Sequence, residues 1–179
     1  MKRDTWFWRW IERIRERRDA REFTQAGILR RAEANSAAGV LTVDGFLGHD
    51  SRPLLRIVRE DTAEFAALGL DWNAVADRLD ELLHLGSEGL GEPITIGGHL
   101  VRVAETRGMF PCPWEDGLFR KRSATVQRLE NGEPAGPELL YSDLSVHLLR
   151  AHHFLQGKGS LFRLEPQILR EVLGPFPES

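Results

Sequence analysis

At 179 residues, with 41% hydrophobic and 28% charged residues and a net charge of −3, the chain is long enough to bury its own core and is not expected to be disordered. Its single cysteine, Cys112, excludes an intrachain disulfide and a metal site with two cysteines from one chain, and we expect a cytoplasmic location. No apolar run approaches the ~18 residues that span a bilayer, and Arg9 interrupts the N-terminal apolar run, so neither an integral membrane protein nor a signal peptide is expected.

The first predicted element is a basic helical arm over residues 1–24. Residues 1–22 hold eight basic and five acidic residues, whereas the remainder of the chain is acidic. Helical spacing predicts an amphipathic helix over about residues 5–22, whose apolar side contains Trp6, Phe7, Trp10, Ile11 and Ile14. This apolar side could pack on the protein body or on a second copy of the chain. It could also dock on a membrane surface or bind in the groove of a partner. Its interspersed acids make nucleic acid the weakest choice.

Three helices are predicted next, in a helical part that covers residues 25–88. Apolar periodicity places them at about Gln25–Ala37, Arg52–Leu68 and Trp72–Leu85. Asp71 is the expected N-cap of the third helix, and Pro53 is expected in the first turn of the second. Between the first two helices, residues 40–50 are expected to form a short strand or an extended segment.

The pattern changes to period two in the second part, residues 92–179. Gly97-Gly98 and Asn131-Gly132 are two-residue turn signals that predict two β-hairpins. A long loop is expected over residues 105–117, followed by a strand over 118–130 and a return strand near residues 138–141. A helix from Ser142 and a last helix over Pro166–Leu173 close the chain. Because helices and strands are segregated, we predict one compact α+β domain over residues 25–179, with an antiparallel sheet of about four strands.

Three histidines fall within residues 142–160, SDLSVHLLRAHHFLQGKGS. The segment SDLSVHLLRAHH resembles the helical half of a Cys2His2 zinc finger in the spacing of His147 and His152. The cysteine pair of such a finger is absent from the stretch before it. On a regular helix, moreover, His147 and His152 point roughly 140° apart, so only a frayed last turn would let them share an ion. We therefore predict no metal site and no cofactor.

The same helix is expected to carry two parallel stripes of side chains. One stripe is the predicted core face and contains Leu144, Leu148, Ala151 and Leu155. The other contains Asp143, His147 and Arg150. Asp143 lies four residues before His147, so it either orients a catalytic histidine or serves the helix N-terminus while His147 is a half-buried residue at the rim.

Cys112 is a candidate nucleophile because two flanking prolines stiffen the loop that presents it. With His147 as base and Asp143 as the residue that orients it, the three would form the catalytic group of a thiol-dependent enzyme. The alternative is that Cys112 is a small buried apolar residue. The neighbouring Glu115 and Asp116 fit a cation site, although adjacent acids are common in loops.

A candidate anion site lies around the turn Gly157-Lys158-Gly159-Ser160, and its expected ligands are His147, Arg150, Lys158, Ser160 and Arg163. A helix C-terminus opposes anions, so the expectation depends on the basic side chains and not on the glycines. The alternative is that Gly157 is the left-handed residue that ends the helix.

Two functions follow from these candidates. The first is a non-enzymatic binding module that recognises an acidic or phosphorylated partner, either a protein or an anionic ligand. It would use the loop at residues 110–117 and the side chains of His147, Arg150, Lys158 and Arg163. The second is a small thiol-dependent hydrolase or transferase that uses Cys112, His147 and Asp143. We favour the binding module, because the enzyme requires three distant residues to meet.

Overall fold

A computed structural model describes residues 24–174 of the chain. Over this range, five α-helices and a four-stranded antiparallel sheet form one α+β domain, which confirms the predicted fold class. Residues 1–23 of the basic arm lie outside the described residues, and so do the expected self-association residues Trp6, Phe7, Trp10, Ile11 and Ile14. None of the helices in the described part of the chain is both long and apolar enough to cross a membrane.

Three helices precede the sheet, as predicted: α1 (Gln25–Asn35), α2 (Leu54–Ala67) and α3 (Trp72–Gly86). The side chain of Asp71 accepts a hydrogen bond of 2.8 Å from the amide of Ala74, which confirms the expected N-cap of α3. Helix α2 begins two residues later than predicted. Pro53 is its N-cap with ψ at 143°, an extended conformation that the first turn of a helix does not allow.

The sheet has the strand order β1-β2-β3-β4, with β1 (Ile94–Ile96), β2 (His99–Pro111), β3 (Leu118–Glu130) and β4 (Glu133–Ser142). Both predicted hairpins are confirmed. Their turn residues, Gly97-Gly98 and Asn131-Gly132, all have positive φ, between 52° and 85°, as a two-residue hairpin turn of this type requires.

The long loop expected over residues 105–117 is mostly a strand. After an irregularity between Thr106 and Met109, β2 continues to Pro111 and pairs with β3 as far as Leu118. The pairing partner stabilises this stretch as a strand despite Gly108 and Pro111, which are breakers when the sequence is considered alone. The true loop is therefore only residues 112–117.

Residues 40–50 form turns, not the expected strand. Gly45 and Gly48 have positive φ and lie against the backbone of other segments. A Cβ atom on Gly45 would lie 2.6 Å from the carbonyl oxygen of Ser36, and one on Gly48 would lie 2.4 Å from the amide nitrogen of Ser160. These close approaches bend the segment over its neighbours and prevent an extended chain.

Two helices follow the sheet: α4 (Asp143–His152) and α5 (Pro166–Leu173), the latter with its predicted bounds. A reciprocal capping box between Ser142 and Ser145 begins α4. The helix ends earlier than predicted, because His153 and not Gly157 adopts the left-handed conformation, with φ of 50°. Gly157 instead permits a close approach, since its Cβ would lie 2.1 Å from the oxygen of Leu47.

The interior contains two hydrophobic clusters. The larger one, called the main core, packs α3, α4 and α5 against the sheet. The smaller one, called the second core, contains Ala32, Phe46, Leu54, Ile57, Cys112, Leu144, Leu148 and Phe154. Helix α4 contributes to both, with Leu149 in the main core and Leu148 in the second core. Ala151 is exposed, so the predicted core stripe is wrong at that residue.

Candidate metal centre

The loop at residues 112–117 joins β2 to β3 as a closed turn. The amide of Cys112 donates a hydrogen bond of 2.9 Å to the carbonyl of Gly117, and the amide of Glu115 donates one of 2.8 Å to the carbonyl of Cys112. Glu115 adopts a left-handed φ of 63° to make this turn. The loop therefore presents Cys112 and Asp116 from a fixed backbone.

The Cys112 side chain is completely buried in the second core. Its sulfur accepts a hydrogen bond of 3.4 Å from the amide of Trp114. Burial, followed by the nearby carboxylate of Asp116, raises the pKa of the Cys112 thiol to about 12. Without a bound cation the thiol is therefore protonated at neutral pH.

Helix α4 brings two histidines to the loop. The ring of His147 stacks on Phe119 of β3 with a centroid distance of 4.2 Å. The ring of His152 stacks on Trp114 at 4.1 Å and is nearly parallel to it, with an interplanar angle of 5°. Both rings are half-buried, and burial lowers the pKa of His152, which favours its neutral form.

Four side chains converge between the loop and the helix. The two carboxylate oxygens of Asp116 lie 3.0 Å from Nε2 of His147 and 3.0 Å from Nε2 of His152. The sulfur of Cys112 lies 3.5 Å from Nε2 of His152. One donor atom from each of the four residues lies within 4.8 Å of all the others. At the edge of the second core, one sulfur, two imidazole nitrogens and one carboxylate therefore lie together.

A regular helix is expected to keep His147 and His152 apart, yet their side chains meet although both residues lie within α4. Their ring centroids are 5.1 Å apart, and both Nε2 atoms contact the same carboxylate. The projection around a helix describes the directions of the Cα–Cβ bonds, whereas Nε2 lies several bonds further out, where rotation of the side chain decides its position. Trp114 of the loop and Phe119 of β3 stack on the two imidazole rings and hold their side-chain rotations.

The donor set matches the coordination chemistry of zinc. Tetrahedral zinc takes thiolate at about 2.3 Å and imidazole or carboxylate at about 2.0–2.2 Å, which separates neighbouring donors by roughly 3.3–3.6 Å. The donor separations here, from 3.0 Å to at most 4.8 Å, bracket that value. Small side-chain movements would therefore complete a four-coordinate shell.

Of the catalytic group predicted from Cys112, His147 and Asp143, the structure brings the donor atoms of Cys112 and His147 within 4.8 Å of each other but places Asp143 elsewhere. Asp143 accepts hydrogen bonds of 3.0 Å and 2.9 Å from the guanidinium of Arg122, and His147 contacts Asp116 instead. The histidine nearest the thiol is His152. In a nucleophile–base pair, the carboxylate binds the ring nitrogen that faces away from the nucleophile, but Asp116 contacts the same Nε2 that faces Cys112.

Two residues of the predicted anion site, Ser160 and Arg163, are engaged in contacts within the protein. Arg163 is buried and forms a two-pronged ion pair with Asp61, so it is not available to a ligand. The hydroxyl of Ser160 donates to the side chain of Gln156, and the amide of Lys158 donates to Asp50. Recognition of an acidic partner through Arg150 and Lys158 stays a prediction, with Arg150 contacting the exposed carboxylate of Asp77 at 2.6 Å.

In the sequence, little marks Asp116 and His152 as members of a metal site. Asp116 is one acid of a loop pair, and His152 is one of two consecutive histidines. The useful clue was the combination of a stiff Cys-Pro-Trp-Glu-Asp loop with a helix that carries histidines five residues apart. No known protein family, curated protein or solved structure matches the chain, so its function has to be argued from this geometry.

Proposed function

We propose that this protein binds one divalent transition metal ion, by preference zinc, through Cys112, Asp116, His147 and His152. The observation that carries the proposal is the convergence of these four donors within 4.8 Å of one another. Ordinary surface clusters hold acids and bases of exposed loops, whereas this one includes a fully buried thiol and two imidazoles locked by stacking. Zinc accepts all three kinds of donor in one tetrahedral shell.

The choice of metal follows from the donor types. A thiolate and two imidazoles are soft or borderline ligands, which magnesium and calcium do not favour because both prefer oxygen. Copper binds nitrogen and sulfur more tightly than zinc does, according to the general order of affinities. A tetrahedral shell that includes a carboxylate suits zinc, so we expect zinc as the occupant, with cobalt as a spectroscopic substitute.

The ion would join two parts of the chain directly and a third, α1, through the loop. Cys112 and Asp116 belong to the β2–β3 loop, and His147 and His152 belong to α4. Helix α1 is tied to the same loop, because the side-chain amide of Asn35 donates to the carbonyl of Pro113 at 2.9 Å and to Glu115 at 3.1 Å. Zinc at 100 times its dissociation constant would stabilise the fold by about 2.7 kcal/mol.

The test is a metal titration of chelator-treated protein. We expect one zinc ion per chain, measured by competition with a chromogenic chelator. Cobalt should give a thiolate charge-transfer band in the near ultraviolet, since Cys112 is the only thiol in the chain. Cys112→Ser and His152→Gln should each weaken binding by more than the roughly 10–100-fold cost of losing an outer-shell partner.

His153→Asn is the matched control. His153 is adjacent to His152 but stacks on Trp72, outside the cluster, and asparagine tolerates its left-handed conformation. This variant should bind zinc like the unmodified chain. A chain that binds no zinc, or variants at residues 152 and 153 that lose it equally, would overturn the proposal.

A further inference from the structure

The four donors of the proposed metal centre differ in how firmly they are held. Cys112 is completely buried between two prolines, and the side chains of His152 and His147 are only 12% and 19% exposed. The side chain of Asp116 is 41% exposed. Three donors thus come from packed positions, and the fourth comes from the solvent side.

The contacts around each donor show the same difference. Each imidazole is stacked on an aromatic ring, and the sulfur accepts a backbone hydrogen bond. Among the described residues, the carboxylate of Asp116 contacts only the other members of the cluster: Cys112, His147 and His152. Arg31 pairs with the neighbouring Glu115 at 3.9 Å. Asp116 therefore has no partner outside the cluster to hold it.

We propose, on the basis of the metal centre proposed above, that Asp116 is an exchangeable ligand and that the bound metal accepts a small carboxylate in its place. Two imidazoles and a thiolate would then form a fixed three-donor platform with one open position. This ligand number is typical of zinc sites that bind substrates, whereas structural sites are closed by four cysteine or histidine donors.

Charge determines which ligand fits the open position. A divalent ion with one thiolate and one carboxylate is neutral as a unit. When Asp116 turns into solvent, the platform carries one positive charge, and a monoanionic carboxylate restores neutrality at a half-buried site. A neutral ligand would leave the charge in place, and a dianion would overcompensate it. Charge thus limits the ligand to a monoanion, and a small monocarboxylate is the monoanion that reproduces the group supplied by Asp116.

The test uses the cobalt form of the full chain with acetate as the probe. Addition of acetate should change the visible d–d bands in a saturable way while the thiolate band persists. Asp116→Ala removes the internal competitor, so it should bind acetate roughly tenfold more tightly or better than the unmodified chain. Asp116→Asn is a second variant, in which the side chain keeps nearly the same shape but loses the negative charge.

Glu115→Gln is the matched control, because Glu115 is the adjacent carboxylate and lies outside the cluster. It should bind acetate like the unmodified chain. If cobalt binds but acetate leaves the bands of both the unmodified chain and Asp116→Ala unchanged, the exchangeable ligand is rejected and the metal centre stands. If cobalt itself fails to bind, the metal centre is rejected first.

Discussion

Arg163 and Asp61 form the most deeply buried ion pair among residues 24–174, with side chains only 4% and 3% exposed. Two guanidinium nitrogens of Arg163 donate to the two carboxylate oxygens of Asp61, at 2.8 Å and 3.1 Å. One of them also donates to the carbonyl of Gln156. The pair fastens the segment between α4 and α5 to α2, so its role is structural.

Replacement of one partner would leave the other charge buried and uncompensated. We expect Arg163→Met to lower the free energy of unfolding by roughly 3–5 kcal/mol, measured by urea denaturation. The double replacement Arg163→Met with Asp61→Leu should recover most of that loss, because the only carboxylate of this ion-pair group that then lacks its partner, Glu165, is partly exposed to solvent. A double variant as unstable as the single one would show that packing, and not charge, dominates here.

Asp50 joins the turns before α2 to the turn after α4. Its carboxylate accepts hydrogen bonds from the side chain of Arg52 and from the backbone amide of Lys158. The bonds from Arg52 above all, followed by the amide of Lys158, hold the pKa of Asp50 well below its ordinary value, although burial acts in the opposite direction. The charged form of Asp50 is therefore the one that stabilises the fold.

A lowered carboxyl pKa contributes stability above the ordinary value of about 4, and this contribution is lost as the pH falls towards the folded-state value. We expect Asp50→Asn to be less stable than the unmodified chain by about 2 kcal/mol at pH 7. The difference should shrink between pH 4 and pH 2. Urea midpoints at pH 7 and pH 3 measure it, and an unchanged difference would contradict the role of the charge.

At the scale of elements, α1 supports the loop of the proposed metal centre from outside. Asn35 at the end of α1 donates to the backbone of Pro113 and to the side chain of Glu115, on either side of Trp114. Outer-shell partners of this kind orient the ligands of a metal. Helix α1 is therefore expected to influence the affinity of a site to which it contributes no ligand.

We expect Asn35→Ala to weaken zinc binding by roughly tenfold, measured by chelator competition. Arg30→Ala, on the exposed face of the same helix, is the control and should leave the affinity unchanged. Equal affinities for the two variants would mean that the loop holds its geometry without α1.

Elements with local signals could be predicted from the sequence. Helix α5 begins at Pro166 and ends before Gly174, and the hairpin turns carry Gly97-Gly98 and Asn131-Gly132. In each case the residues that set the backbone conformation lie within the element or next to it. The segregation of helices and strands then follows from periodicity, which is why the fold class could be predicted.

Elements that depend on distant contacts could not be predicted. The turns at residues 40–50 depend on the backbone of Ser36 and Ser160, and the end of β2 depends on pairing with β3. For the candidate site, the decisive contact joins Asp116 in the β2–β3 loop to two histidines of α4. A helical projection gives only the directions of the side chains of α4, so it could not show that the β2–β3 loop lies opposite them.

On the scale of the whole molecule, the two cores divide the protein unequally. The main core packs α3, α4 and α5 against the sheet, and the second core packs α1 and α2 around Cys112. The proposed metal binds at the edge of the second core. Metal removal should therefore loosen the second core before it affects the main core.

We expect chelation to increase amide hydrogen exchange in α1, in residues 40–50 and in the β2–β3 loop. The amides of α3 and the central strands should change by much less, because none of the four proposed ligands belongs to the main core. The Cys112→Ser variant should show the same faster exchange in α1, residues 40–50 and the β2–β3 loop even when no chelator is added. A uniform increase over both cores would instead indicate a single cooperative unit.

The left-handed residue His153 turns two consecutive rings towards different parts of the protein. His152 faces Trp114 beside the candidate site, whereas the next side chain stacks on Trp72, which in turn stacks on Phe65 of the main core. The two adjacent histidines therefore connect the candidate site to the main core through stacked rings.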